Sequence, residues 1–284
     1  MKPLEREELP AGLVELTSVE RQPGLFAAVG SFVYKTLVIT ELEIRRLSHD
    51  ATELITRAVQ PALWLLVFGE VFTHVRAIPT GNLRYLDFMT PGILAQSVLF
   101  IAIFYGISLV WERDLGIIHK FMVSPTPRSA LVLGKALSAA VRSLSQAAIV
   151  YVLALLLGVK MNGNPLSLLG VLCVVILGAA FFSTLSLIIA CLVKTRERFM
   201  GIGQLLTMPL FFASNAIYPI EMMPNWLKVI SHVNPLTFEV DALRGMMIVG
   251  GTNVYPIGLD IGVLVVAATA LIFIAGRLYP RVVS

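Results

Sequence analysis

Apolar and polar residues fall along this 284-residue chain in long blocks instead of alternating. No Asp, Glu, Lys or Arg occurs between Asp87 and Glu112, Arg142 and Lys160, Lys160 and Lys194, or Arg198 and Glu221. A helix needs about 20 mostly apolar residues to cross the hydrocarbon of a bilayer. The blocks therefore predict spans near 90–111, 136–158, 167–192 and 199–219. A fifth runs from Arg57 to about Val75, interrupted only by Glu70, and a sixth from about Ile257 to Ala275 with Asp260 near its start. The expected fold is an all-α polytopic membrane protein with six transmembrane helices. Arg142, at the inner end of the 136–158 span, is expected to snorkel toward the interface.

Shorter patterns interrupt these blocks. Residues 31–53 mix Phe32, Val33, Leu37, Val38, Leu42 and Leu47 with Lys35, Glu41, Glu43, Arg45 and Arg46. That helix is too polar to span. It reads either as an amphipathic interfacial helix whose arginines meet lipid phosphates or as a soluble helix packed on a partner. Between Glu112 and the Ser124-Pro125-Thr126-Pro127 stop, Leu115, Ile118 and Met122 recur with helical spacing, with Ile117 and Phe121 alongside. This predicts a short amphipathic helix below the membrane whose apolar side needs lipid or a second protein to cover it. The connection 220–255 is too long for a turn. Pro224 and the Asn234-Pro235 pair start two short helices there, at or dipping into the outer interface, with Trp226 as an anchor.

Composition and charge orient this plan. The chain is 57% hydrophobic and 14% charged, with mean hydropathy +0.82, too apolar for a water-soluble domain. With the N-terminus in the cytoplasm, 17 Lys and Arg fall on inner segments and 5 on outer ones, which predicts a chain in the cytoplasmic (inner) membrane with both termini in the cytoplasm. Residues 1–26 read as a flexible cytoplasmic tail and 27–284 as one transmembrane domain; the acidic, proline-bearing start does not resemble a signal peptide. The net charge of +4 gives no reason to expect a nucleic-acid partner. Cys173 and Cys191 fall on one helix, about 27 Å apart at 1.5 Å per residue, far beyond disulfide reach.

Catalytic chemistry is missing. Ser129 through Ala136 ends in Gly-Lys but lacks the first glycine and the final Ser or Thr of a phosphate-binding loop. The four histidines have no zinc spacing, and no nucleophile elbow occurs. Candidate functional residues are thus polar or aromatic groups in the spans. Glu70 reads either as a gate or substrate contact, or as a partner of Arg76 or Arg244. Phe211, Phe212 and Asn215 are candidates for a translocation path, although Gln96, Gln204, Thr207, Ser214 and Asn215 equally suit interhelical packing. Asp241 and Arg244, three apart, are expected to pair along one helix. Midplane acids and histidines for a proton relay are absent, so transport would draw its energy from a partner.

Two segments together resemble the permeases of the ATP-binding-cassette (ABC) transporter type 2 family, most closely the drug-resistance and nodulation-type exporters. One is Glu112-Arg113-Asp114-Leu115-Gly116 with Ser124-Pro125-Thr126-Pro127 and Leu133-Gly134-Lys135. The other is Ala216-Ile217-Tyr218-Pro219, Met223-Pro224-Asn225-Trp226-Leu227, Asn234-Pro235-Leu236-Thr237-Phe238 and Asp241-Ala242-Leu243-Arg244. Asn215 stands where glycine is more frequent in that family. The resemblance implies a permease subunit, not an enzyme, working as a homodimer or heterodimer on two ATPase subunits that hold the ATP and Mg, with no cofactor in this chain. It implies a coupling helix carrying Glu112, Arg113, Leu115, Gly116, Ile118, Phe121 and Met122, and an interfacial connecting helix carrying Arg45 and Arg46. It also implies an outer helix pair marked by Trp226, Pro235, Asp241 and Arg244. The expected cargo is an amphipathic drug-like molecule, lipid or glycolipid. Export of a lipid-linked polysaccharide, a lipid-modifying membrane enzyme and an ion-coupled transporter are the rival readings.

Overall fold

The computed structural model describes residues 51–75, 78–115, 128–193 and 195–278. Among them regular structure is helical, apart from one isolated bridge between Met161 and Ile248. The first helical run is α1 (Ala51–Leu63), a π-helical segment (Trp64–Gly69) and α2 (Glu70–Val75). Then come α3 (Tyr85–Tyr105), α4 (Ile107–Asp114), α5 (Arg128–Leu156) and α6 (Pro165–Leu192). The chain ends with α7 (Arg196–Phe212), a single 3-10 turn (Ile220–Met222), α8 (Asn225–Val233), α9 (Pro235–Met247) and α10 (Ile257–Leu278).

Local chemistry sets the starts and breaks. Asn164 and Asn234 each precede a proline at the first helical position, and each side chain accepts the N–H two residues on, from Leu166 and Leu236 at 3.0 Å. Pro61 has no N–H to give the Arg57 carbonyl one turn back, and the Gln146 side-chain amide donates to that carbonyl instead at 3.2 Å. The π-helical segment follows directly. The Ser186 hydroxyl on α6 donates to the Ile103 carbonyl, and α3 gives way to α4 at Gly106, where a Cβ would lie 2.0 Å from Ser186 Oγ.

Helix α6 is the hub, packing on α3, α5, α9 and α10. Its small residues Gly170, Gly178, Ala179 and Ser183 let neighbours approach closely, the packing mode expected where lipid removes the hydrophobic drive between helices. By contrast the first helical run and α10 are peripheral and expose Val59, Leu63, Leu66, Val266 and Phe273, an apolar surface suited to lipid. Among the described residues, five helical stretches are long and apolar enough to cross a membrane: Thr56–Val75, Tyr85–Asp114, Val132–Leu156, Pro165–Leu192 and Ile257–Leu278.

The expected span at 199–219 differs. Helix α7 has 17 residues, about 26 Å of rise against about 30 Å of hydrocarbon. Pro209 lies in its last turn, and the chain then folds over, with the Ile217 carbonyl accepting from Tyr85 Oη at 3.0 Å. The charge-free stretch counted turn residues as helix. Helix α7 starts with Arg196 over the Trp111 ring, and α9 finishes against the loop between α5 and α6, where Asn162 N donates to Met247 O at 2.8 Å. Between them α9 runs beside α6, with Met246 against Gly170 and Glu239 against Gly178, which lies halfway along α6. The second member of the expected outer pair thus reaches the middle of the bundle.

Candidate functional site

Three clusters hold the polar chemistry. The first is the basal end, where α4 finishes. Lys135 Nζ of α5 pairs with Glu112 Oε1 at 2.5 Å, Arg113 donates to the Val193 carbonyl at 2.9 Å, and Arg196 of α7 pairs with Asp114 at 2.8 Å while lying 3.6 Å over the Trp111 ring. Glu112 and Arg113, expected on the coupling helix, lie in the last turn of α4 and tie it to α5 and the α6–α7 turn. Leu115 is the next residue and is 67% exposed. Gly116, Ile118, Phe121, Met122, Arg45 and Arg46 lie outside the described residues.

The second cluster is the seat of α9. Asp241 and Arg244 do not pair with each other as expected. The Asp241 carboxylate accepts the N–H groups of Val254 and Tyr255 at 3.0 and 2.9 Å and the Asn215 amide at 3.4 Å. Arg244 donates to the Asn215 carbonyl at 2.6 Å and lies 3.9 Å over the Phe88 ring. The physical reason is competition: unpaired backbone groups at both ends of this irregular connection demand partners more strongly than two side chains one helical turn apart. Asn215 is buried and contacts both. Trp226 is exposed on α8 with Val229, Ile230 and Val233, one apolar stripe, while Pro235 is the first residue of α9. The Tyr255 phenol beside this seat is pushed up by burial and by the Asp241 and Asp260 carboxylates.

Two acids in this region were not singled out as candidate sites from sequence. Glu239 and Asp260 are fully buried, and neither has a hydrogen-bond partner for its carboxyl oxygens among the described residues. Glu239 was hidden because α9 reads as an interfacial helix; only its depth beside Gly178 makes its burial costly.

The third cluster lies along the first helical run and its neighbours. Trp64 and Phe68 of the π-helical segment lie 4.5 Å apart with their rings tilted by 32°, and the aromatic series continues through Phe72, Tyr85 and Phe88 with centroid spacings of 6.4, 5.4 and 6.5 Å. Phe211 joins it edge-on to Trp64 at 5.7 Å and is buried, whereas Phe212 is 44% exposed. Glu70, at the start of α2 between Phe68 and Phe72 in sequence, is half-exposed and 3.6 Å from His74, and the Asn215 side chain bonds Asp241 instead of it. Toward the basal half a cavity of about 510 Å³ opens between α1, α3 and α5, with Arg57, Gln60, Arg142 and Gln146 in its wall. These four were not selected as site residues from sequence. A lone arginine in a span reads as snorkelling until its neighbours are known.

Free Cys173 and Cys191 agree with the absence of a disulfide, and no cluster of metal-ligating residues occurs among the described residues. Apolar helices of spanning length around a small-residue hub define an integral multi-pass membrane protein. Residues 34–248 match the family described as ABC-2 type transporter, and the chain belongs to that family. It is 29% identical to the daunorubicin resistance ABC transporter permease protein DrrB1 of Streptomyces coeruleorubidus, over 70% of each chain. It is 26% identical to nodulation protein J of Rhizobium meliloti over 70% of this chain and 75% of that one. The inner membrane transport permease YadH of Escherichia coli is 23% identical over 80% of this chain and 87% of its own.

Proposed function

We propose that this chain is the membrane-spanning subunit of an ATP-driven exporter that moves an amphipathic substrate outward across the cytoplasmic membrane. The observation that carries the reading is the clamped root of the segment after Asp114. Lys135 and Arg196 hold Glu112 and Asp114 from two other helices, so a push on the segment that begins at exposed Leu115 reaches α3, α5 and α7 together. That is what a docking site for a motor needs. ABC-2 permeases work with ABC ATPases, and here two such subunits, carrying the nucleotide and Mg, dock on 112–124 of a permease dimer.

The charge distribution orients the basal end to the cytoplasm with both termini inside. The α7–α9 passage then supplies the sixth crossing, with α8 and α9 as a hairpin re-entering from outside. ATP-driven closure of the ATPases tilts the basal helices, and the Arg244–Asn215 and Asp241 contacts carry that movement to the outer connection.

The test is co-purification with a candidate ATPase. Leu115→Asp leaves the clamp intact and is expected to abolish both association and ATP-dependent transport. Full transport by that variant would refute the docking assignment.

A further inference from the structure

The cavity beside Arg57 and Arg142 has a shape that narrows the substrate class. Its wall combines two guanidinium groups, two side-chain amides and the rings of Phe100 and Tyr105. Arg142 lies 5.4 Å over the Tyr105 ring, a contact that fixes the plane of its fork. Gln146 is fixed by its bond to the Arg57 carbonyl, which leaves its Oε1 without a hydrogen-bond partner among the described residues, and Ser108 Oγ on the same wall is in the same condition. Both arginines are also engaged within the protein, which holds them at the wall.

A second cavity of about 400 Å³ adjoins the first along α1 and shares Thr56 and Gln60 with it. Its other walls are Val59, Leu63, Trp64 and Phe68. The composition therefore changes along the groove that the two adjoining cavities make, from guanidinium and amide to aliphatic and aromatic. Thr56 and Gln60 are exposed at the junction, so the groove opens on the flank of α1 and not into the bundle. Arg142 lies 14 residues from the last residue of α5, about 21 Å at 1.5 Å per residue, which is the basal half of a 30 Å hydrocarbon layer.

We infer that this groove is an entry site for a membrane lipid-like molecule with a phosphate-bearing headgroup, the headgroup lying against Arg57 and Arg142 and one acyl chain along Val59, Leu63, Trp64 and Phe68. Planar guanidinium forks match phosphate oxygens, and the neighbouring amides and hydroxyl suit glycerol or sugar hydroxyls. The chain groove leads to the Trp64–Phe68–Phe72 series, which continues toward the distal end. This deepens the exporter reading and rests on it for direction of movement only. The binding site itself needs no ATPase.

The test is therefore binding to the full chain alone, in nanodiscs of phosphatidylcholine. Trp111 and Trp226 are replaced by Phe so that Trp64 reports, and quenching by bromine-labelled phosphatidylglycerol is compared with equally labelled phosphatidylcholine. Phosphatidylglycerol is expected to quench at concentrations at least ten-fold lower. The preference is expected to weaken as salt rises. Arg57→Gln with Arg142→Gln should erase it, a change of about ten- to hundred-fold, the worth of charged hydrogen bonds. Arg142→Lys should retain part of it. Soluble glycerol phosphate, which has the anion without the chain, is expected not to compete at equal concentration. Equal quenching by the two lipids at low salt overturns the inference, with or without well-folded variants, and so does full competition by glycerol phosphate. Anionic-lipid binding without ATP-dependent export would sustain the site while overturning the exporter reading.

Discussion

Helix α3 crosses the turn after α7 at Gly92, and this contact gives the sharpest mutational test of that turn's place in the fold. A Cβ at Gly92 would fall 2.4 Å from the Ala216 carbonyl oxygen and 2.7 Å from its Cα. Ordinary contact needs about 3.5 Å, so Gly92→Ala forces the two backbones apart by about 1 Å. No flexible side chain is there to yield. Overpacking of this kind costs about 1–3 kcal/mol, and an unyielding backbone puts Gly92 at the upper end. Alanine returns about 1 kcal/mol of helix propensity, which leaves a net loss near 2 kcal/mol. On the scaling for chains of this size that lowers the melting midpoint by roughly 4–8 °C. Gly262→Ala is the control, because nothing lies within 4 Å of a Cβ there. Both variants are heated in detergent and the surviving fraction read by size-exclusion chromatography. Gly92→Ala should melt early and transport poorly, and Gly262→Ala should match or exceed the parent. Equal melting of Gly92→Ala and parent would refute the crossing at Ala216.

Three further substitutions follow from single contacts. Glu239→Met removes two unsatisfied buried oxygens at similar volume and is expected to raise stability by about 1–3 kcal/mol, read as a higher melting midpoint; if stability holds while transport is lost, the carboxyl serves the transport cycle. Asp241→Ala leaves the Val254 and Tyr255 N–H groups without their acceptor and should cost about 2–4 kcal/mol, with hydrogen exchange at those two amides accelerated more than along α6. Lys135→Ala strands Glu112 at the basal clamp and should cost about 3 kcal/mol, whereas Glu112→Lys with Lys135→Glu should recover part of the loss in a double-mutant cycle.

The sequence discloses what depends on one helix at a time. Charge-free length marks the hydrocarbon, and the Asn164-Pro165 and Asn234-Pro235 pairs start helices where capping chemistry says they should. The span at 199–219 was misjudged because absence of charge records depth and not helicity, so the turn after Phe212 looked the same as the helix before it. Asp241 and Arg244 are spaced to pair, yet each is drawn to backbone groups brought near only by the fold. The same holds for the groove on α1. Arg57 and Gln60 stand more than 80 residues from Arg142 and Gln146, and no spacing rule links them. Pro61 was the one available signal, since it leaves a carbonyl that some side chain has to satisfy.

The central claim is that an ATPase drives this bundle through the segment that begins at Leu115. The direct measurement is ATP-dependent uptake of a fluorescent amphiphile into inside-out vesicles containing the chain and its ATPase, set beside the same vesicles with Leu115→Asp. The account predicts uptake that requires hydrolysable ATP and disappears in the variant, while the amount of chain in the membrane is unchanged. Uptake that proceeds without ATP, or that survives Leu115→Asp at the parent's rate, would contradict it.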